Sequence, residues 1–300
     1  MERQRDILEC QYNQEKFRER GQQADQQSAL VDATQSIDVV PSYVGGRQPL
    51  PEELQLMAEF QRVLDSANVI LPRNFWEANY HESRCSLFWR FLVANDGHVI
   101  RAKNQLARDV AWRDEIRLKD LQNMARKDVV GIEDAFFIRH YPCLCLGFED
   151  GSENYSPVVY RRLTHLNTKV LAEKGVTVEK MIKHELWQYE KDCRLLFEHP
   201  ESFPPRQLKV IIDISGMTWA QCTKDLISIL SGFSSFSKVH HPERLQKLYI
   251  IGAPKPFSFV WNTIVSRIIP ERTRNKIMIL HSIQGNTWLE KWMKMCPSLE

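Results

Sequence analysis

Glycine is scarce in this chain, with 12 among 300 residues. Loops that cradle phosphate consume glycine, because the backbone must turn through positive φ and come close to the ligand. No G-x-G-x-x-G, G-x-x-x-x-G-K-[ST] or G-x-S-x-G occurs, which removes dinucleotide-fold, P-loop and serine-hydrolase readings. Long apolar runs are missing too. Stretches such as 210–213 with their neighbours fall far short of the roughly 18–20 residues that a membrane span requires. The first thirty residues carry charges throughout and no apolar centre, so they do not read as a secretory signal, and the chain is expected to be cytoplasmic. Nor is there a charge of one sign. Forty Lys plus Arg against 38 Asp plus Glu leave +2, without the basic excess of a protein that binds nucleic acid over its whole surface, so no nucleic-acid partner is expected.

The seven cysteines form an odd, scattered set. Cys143 and Cys145 stand close, but no second Cys or His pair lies at metal-site spacing, so free thiols and no metal are expected. The adjacent His240 and His241 read as surface or loop histidines.

What is present is a sizeable apolar fraction, 43%, in a length that suggests about two domains. Residues 1–50 are polar, with eight Gln in the first 35, and are predicted to be a disordered tail. From Pro51 the apolar spacing turns helical: Leu54, Met57, Phe60 and Leu64, then Leu87, Phe88, Phe91 and Leu92, then Ile100, Leu106, Val110 and Trp112. These predict a small helical lobe over 51–125. Beyond it, residues 126–300 read as a mixed α/β domain. The candidate strands are 136–141, 156–163, 208–214, 247–253 and 276–280, with helices over 178–197 and 219–233. The alternation points to a largely parallel sheet flanked by helices. Asp213 ends a strand; it suits either a catalytic carboxylate at a sheet edge, with a histidine such as His281, or a turn-forming residue, and the turn reading is preferred.

Residues 240–280, HHPERLQKLYIIGAPKPFSFVWNTIVSRIIPERTRNKIMIL, resemble the C-terminal half of the CRAL-TRIO domain. That family includes phosphatidylinositol/phosphatidylcholine transfer proteins and retinal- and tocopherol-binding proteins. The resemblance rests on Pro242-Glu243-Arg244, Ala253-Pro254, Phe257 and Lys276-Ile277, in family order. It extends more weakly over about 50–290, through 87–116, 186–193 and 210–218.

The resemblance implies a non-catalytic carrier, expected to be monomeric. Its sheet would form one wall of an apolar cavity that holds a phospholipid as ligand, with no cofactor. A gate helix beginning near 256 would place Phe257, Val260, Ile264, Val265 and Ile268 at helical spacing, with Trp261 off the stripe where it can meet a membrane interface. The same spacing also fits an ordinary core helix. Leu208, Val210 and Ile212 on the central strand would line the pocket.

For the headgroup, the resemblance implies Glu243, Arg244, Thr273 and Lys276 as the phosphatidylinositol-binding set, with Arg244 alternatively bracing Glu243. Two departures stand out. A basic run in the family's amino lobe is Val93-Ala94-Asn95-Asp96 here, and the family's C-terminal close is missing. The positions that hold choline lipid in the family correspond to Leu208 and Val210, neither of which has a hydrogen-bonding group. Residues 242–296 carry nine Lys or Arg against three Glu, a local excess of +6, suited to transient attraction by an anionic membrane surface or to a solvated basic face. A carrier of a sterol, tocopherol or retinoid is the alternative.

Overall fold

The computed structural model describes residues 46–71, 82–149, 156–197, 202–254, 257, 261, 267, 269 and 271–296. The expected tail over 1–45 and four of the gate positions, Val260, Ile264, Val265 and Ile268, lie outside the described residues.

The helical lobe is built from α1 (Pro51–Ser66), α2 (Arg84–Ala94) and α3 (Val99–Glu115). Pro51 starts α1 where a missing N–H is harmless, and Glu53 reaches back to accept from the Leu50 N–H at 2.8 Å. Met57, Phe60 and Leu64 pack on Leu87, Phe88, Phe91 and Leu92, with Phe60 and Phe88 edge to face at 4.9 Å. Phe203, far along the chain, completes this core. Its carbonyl accepts from the Arg47 N–H at 2.7 Å, so residues 46–50, assigned to the tail by composition, are held against the lobe. Helix α3 is rotated from the expected stripe: Ile100 is exposed, and Val99, Ala102, Gln105, Leu106 and Asp109 face inward. Two polar side chains on the buried face disguised the periodicity.

Short helices α4 (Leu118–Asn123), α5 (Arg126–Val130) and α6 (Asp134–His140) follow. The strand expected over 136–141 is therefore a helix. Its aromatic residues pair four apart, Phe136 with His140 at 4.7 Å and Phe137 with Tyr141 at 6.2 Å, which is helical spacing. Pro142 then ends the helix, and strand β1 (Cys143–Phe148) takes up the chain.

A five-stranded sheet has the order of the sequence: β1, β2 (Pro157–Arg162), β3 (Leu208–Asp213), β4 (Leu245–Ile251) and β5 (Ile277–Leu280). Strands β1 and β2 are antiparallel and the rest are parallel. The connections carry α7 (Thr168–Glu173), α8 (Val178–Arg194), α9 (Lys224–His240) and α10 (Glu271–Arg274), and α11 (Thr287–Met293) closes the described chain. The helix expected over 219–233 starts later and runs to His240, because Thr223 caps it, accepting from the Leu226 N–H at 3.1 Å.

Alternation sorts the sheet into two faces. On one, Leu208 is fully buried against Tyr189, Cys193 and Leu196 of the α8 region, with Val210, Phe233 and Phe236 beside them. Helices α8 and α9 approach closely at Gly232, where a Cβ would sit 2.6 Å from Ile182. On the other face, Leu289 and Trp292 of α11 cover Leu146, Val158, Tyr160, Ile211 and Ile251. Asp213 ends β3 as the preferred reading had it: its carboxylate accepts from the Ser215 N–H at 2.8 Å and from the Tyr160 hydroxyl at 2.7 Å, making it a turn residue. No described helix is long and apolar enough to cross a membrane.

Candidate functional site

The amino ends of β4 and β5 lie side by side, and the four residues expected to recognise a headgroup precede or open these strands. Pro242 and Glu243 form the turn into β4, and Glu243 holds φ +53, a left-handed conformation that disfavours a side chain like glutamate. That backbone is fixed by Gln207, whose amide donates to the Glu243 carbonyl at 2.9 Å. The Glu243 carboxylate then receives one cation on each oxygen. Arg272 Nε stands 2.8 Å from Oε1 and Lys276 Nζ 2.9 Å from Oε2. Lys276 also donates to the Leu245 carbonyl at 2.8 Å, which leaves one of its three N–H bonds without a described partner. Thr273 stands between Arg272 and Lys276 in sequence, and its carbonyl accepts from the Lys276 N–H at 3.0 Å.

Arg244 has a different role from the one expected as a brace for Glu243. It is buried, and its Nη2 donates to Glu82 Oε2 at 2.8 Å. Arg90 of α2 takes the same carboxylate through Nε at 2.7 Å and Nη2 at 2.9 Å, and it donates to the Pro242 carbonyl at 2.9 Å. Burial raises the Glu82 carboxyl, but the Arg244 and Arg90 guanidiniums outweigh it and hold the group below its ordinary range. This triad clamps the turn before β4 to the helical lobe. Sequence reasoning missed Glu82, Arg90 and Arg272, since their partners lie 8 to 179 residues away.

His240 and His241 are buried, contrary to the surface reading. His240 stacks on Trp112 with ring centres 3.6 Å apart and approaches Asp109 at 3.0 Å. His241 meets Glu190 of α8 at 2.5 Å. Glu82, Arg90, Arg113, Cys193, His240, His241 and Arg244 line a small cavity between the lobe and the sheet domain.

Above the polar edge the wall becomes apolar. Ile212, Leu248, Ile250, Ile277 and Ile279 pack in one cluster with Phe257 and Trp261, the two described gate positions. Asn95, where a basic residue was expected by resemblance, turns its amide onto the Phe91 carbonyl at 2.8 Å and Gln105 at 2.7 Å. His281 is bound to the Ala253 carbonyl at 2.7 Å, and Asp213 is engaged in its turn. The strand edge thus places two cations on one carboxylate, next to an apolar face of the sheet.

A crystal structure of Sfh5 is similar over 81% of this chain and 85% of its own, with a TM-score of 0.62 and 15% identity. Among curated proteins, Protein real-time of Drosophila melanogaster is 26% identical over 86% of this chain and 36% of its own length. A phosphatidylinositol/phosphatidylcholine transfer protein of Arabidopsis thaliana, SFH4, is 25% identical over 81% of this chain and 37% of its own. SEC14 cytosolic factor of Candida glabrata is 25% identical over 71% of this chain and 67% of its own. The chain spans about a third of the length of the first of these curated relatives. The CRAL/TRIO domain model matches residues 141–294, more than half of the 300, and with the parallel sheet and its flanking helices this places the chain in the CRAL/TRIO domain family.

Proposed function

We propose that the protein binds one phosphatidylinositol and exchanges it at membranes without catalysing a reaction. The carrying observation is the junction at the amino ends of β4 and β5. Lys276 and Arg272 meet at Glu243, and directly above them Leu248, Ile250, Ile277 and Ile279 form an apolar wall with Phe257 and Trp261. A phosphodiester would sit at the cationic edge, inositol hydroxyls would donate to Glu243 and Thr273 would hydrogen-bond either group, while the acyl chains lie along the wall. Similarity to proteins named as phosphatidylinositol/phosphatidylcholine transfer proteins supports the ligand class. The local excess of +6 over 242–296 suits transient docking on an anionic cytoplasmic leaflet. In this reading the working unit is a cytoplasmic monomer.

Lys276→Ala is expected to lower phosphatidylinositol transfer while leaving the fold intact, since loss of one charged hydrogen-bond partner costs about 1.5–3 kcal/mol. Native mass spectrometry after incubation with mixed-lipid vesicles, paired with transfer assays, checks it. A wild-type protein that stays empty, or a variant that transfers the inositol lipid as fast as wild type, defeats the assignment.

Choline lipid is expected to transfer poorly. Leu208 and Val210 have no hydrogen-bonding side chain, and a phosphate set against them would lose water without replacement, at roughly 1–3 kcal/mol per unmet group. Leu208 is also fully buried against α8, so Leu208→Ser opens a cavity and lowers the melting temperature, whereas Val210→Thr is milder. Paired vesicle assays with the two labelled lipids decide the matter. Equal wild-type rates would overturn it, and a choline-lipid gain in the double variant, assayed below its melting temperature, would support it.

A further inference from the structure

We infer that Arg272 is a specificity-determining residue of the headgroup site, supplying with Lys276 a two-cation cradle for the phosphodiester of an inositol lipid. The inference rests on the phosphatidylinositol reading above and adds a residue that the carried-over set of Glu243, Arg244, Thr273 and Lys276 does not contain. Arg272 and Lys276 each hold one oxygen of the same carboxylate, at 2.8 Å and 2.9 Å. The two free oxygens of a phosphodiester branch from one atom just as carboxylate oxygens do, so donors arranged for one can meet the other. Glu243 is thus a resident stand-in that keeps both cations pointed at one place before ligand arrives.

Arg272 is also anchored from behind. Its Nη1 donates to the Val93 carbonyl at 2.7 Å and approaches Asp96 at 3.3 Å, at the end of α2. The Arg272 side chain keeps 45% of its surface exposed, while Glu243 keeps 8%, and the hydrogen bonds and ion pairs it makes to described residues run through Nε and Nη1. A guanidinium braced on one side and open on the other is preorganised for an incoming anion. The neighbouring lobe residue Asn95 is turned inward onto Phe91 and Gln105, so at this corner the cation comes from α10. Buried Arg244 is committed to Glu82, which leaves Arg272 and Lys276 as the pair that faces a ligand.

The test measures phosphatidylinositol binding from vesicles at several ionic strengths for wild type, Lys276→Ala, Arg272→Ala, Arg272→Lys and Asp96→Asn, with a melting curve for each. Arg272→Ala is expected to weaken binding about ten- to a hundredfold, to flatten its salt dependence and to keep its melting temperature. Arg272→Lys should recover only part, because an ammonium lacks the planar fork that spans Glu243 and Val93. Asp96→Asn should bind nearly as wild type. Wild-type affinity in Arg272→Ala overturns the inference, as does an equal loss in Asp96→Asn with salt dependence unchanged, which would make Arg272 a strap only. If Lys276→Ala weakens binding and Arg272→Ala does not, this inference alone fails; if wild type takes up no inositol lipid, the underlying reading fails with it.

Discussion

Glu82→Ala is expected to destabilise the protein by about 3–5 kcal/mol, the range for removing one partner of a buried ion pair. Its carboxylate, 6% exposed, is the only acceptor among the described residues shared by Arg90 and Arg244. Without it, two buried guanidiniums lose the carboxylate that both of them bond. Burial and the neighbouring Arg244 already lower the pKa of Arg90. Glu82→Gln restores shape without charge and should recover little. Glu82→Leu combined with Arg90→Met and Arg244→Met should recover much of the loss, because a fully apolar replacement strands no charge. Urea titration measures these differences directly. A loss under 1 kcal/mol for Glu82→Ala would mean that water reaches the triad in solution, and the clamp between the lobe and the turn before β4 would not hold.

The sign with pH follows from the lowered Glu82 carboxyl. A depressed acid contributes stability that is present above its unfolded value, near 4.5, and lost as pH falls through the folded one. The clamp should therefore fail in acid.

How far the sequence exposed this architecture depended on whether the signal was local. The run VIID ends β3 and the next two strands lie within two residues of their expected bounds, because apolar β-rich runs between polar turns are read from neighbouring residues alone. Helix α8 was equally clear, with Thr177 accepting from the Lys180 N–H at its start and an apolar stripe from Met181 to Cys193. The run at 136–141 misled because four apolar residues in six fit either period, and Pro142 was the decisive breaker. Its aromatic pairs at i, i+4 settle the helix.

The site was legible only through resemblance. Glu243 and Lys276 come together as that resemblance implied, 33 residues apart, but no periodicity announces such a pair. The buried networks left one overlooked trace: Asp109 and Arg113 at i, i+4 on the inner side of α3, and Glu190 and Asp192 among the buried residues of α8. Charged residues on an apolar stripe have to be matched by distant partners. His240 and His241 are two such partners, which is why reading them as surface residues failed.

Those partners set the remaining prediction, a fall in stability as pH rises from about 6.5 to 8. Glu190 is fully buried, and burial pushes its carboxyl up to about 8, opposed by Arg244, Arg194 and His240. Burial pushes His241 well below its ordinary value, and Arg113 adds to the effect. The two shifts both favour the neutral forms of the pair, whose Glu190 Oε1 and His241 Nε2 stand 2.5 Å apart, while Gln122 of α4 donates to the other carboxyl oxygen at 2.8 Å. Asp109 and Arg113 of α3 complete the surroundings, with Asp109 held low because Arg113 and His240 outweigh its burial. A raised acid binds a proton in the folded state that the unfolded chain has released, so stability drops with rising pH between about 4.5 and 8. The depressed histidine acts oppositely, but only below about 6.5, where the unfolded chain protonates. Between 6.5 and 8 the glutamate contributes a slope of roughly 1.4 kcal/mol per pH unit, or about 2 kcal/mol over the window. Glu190→Gln keeps a neutral hydrogen-bonding group in the same place and should abolish the slope, making the variant more stable than wild type at pH 8. Melting temperatures across pH 6 to 8.5 test this, and parallel curves for the two proteins would show that Glu190 is already ionised in the fold.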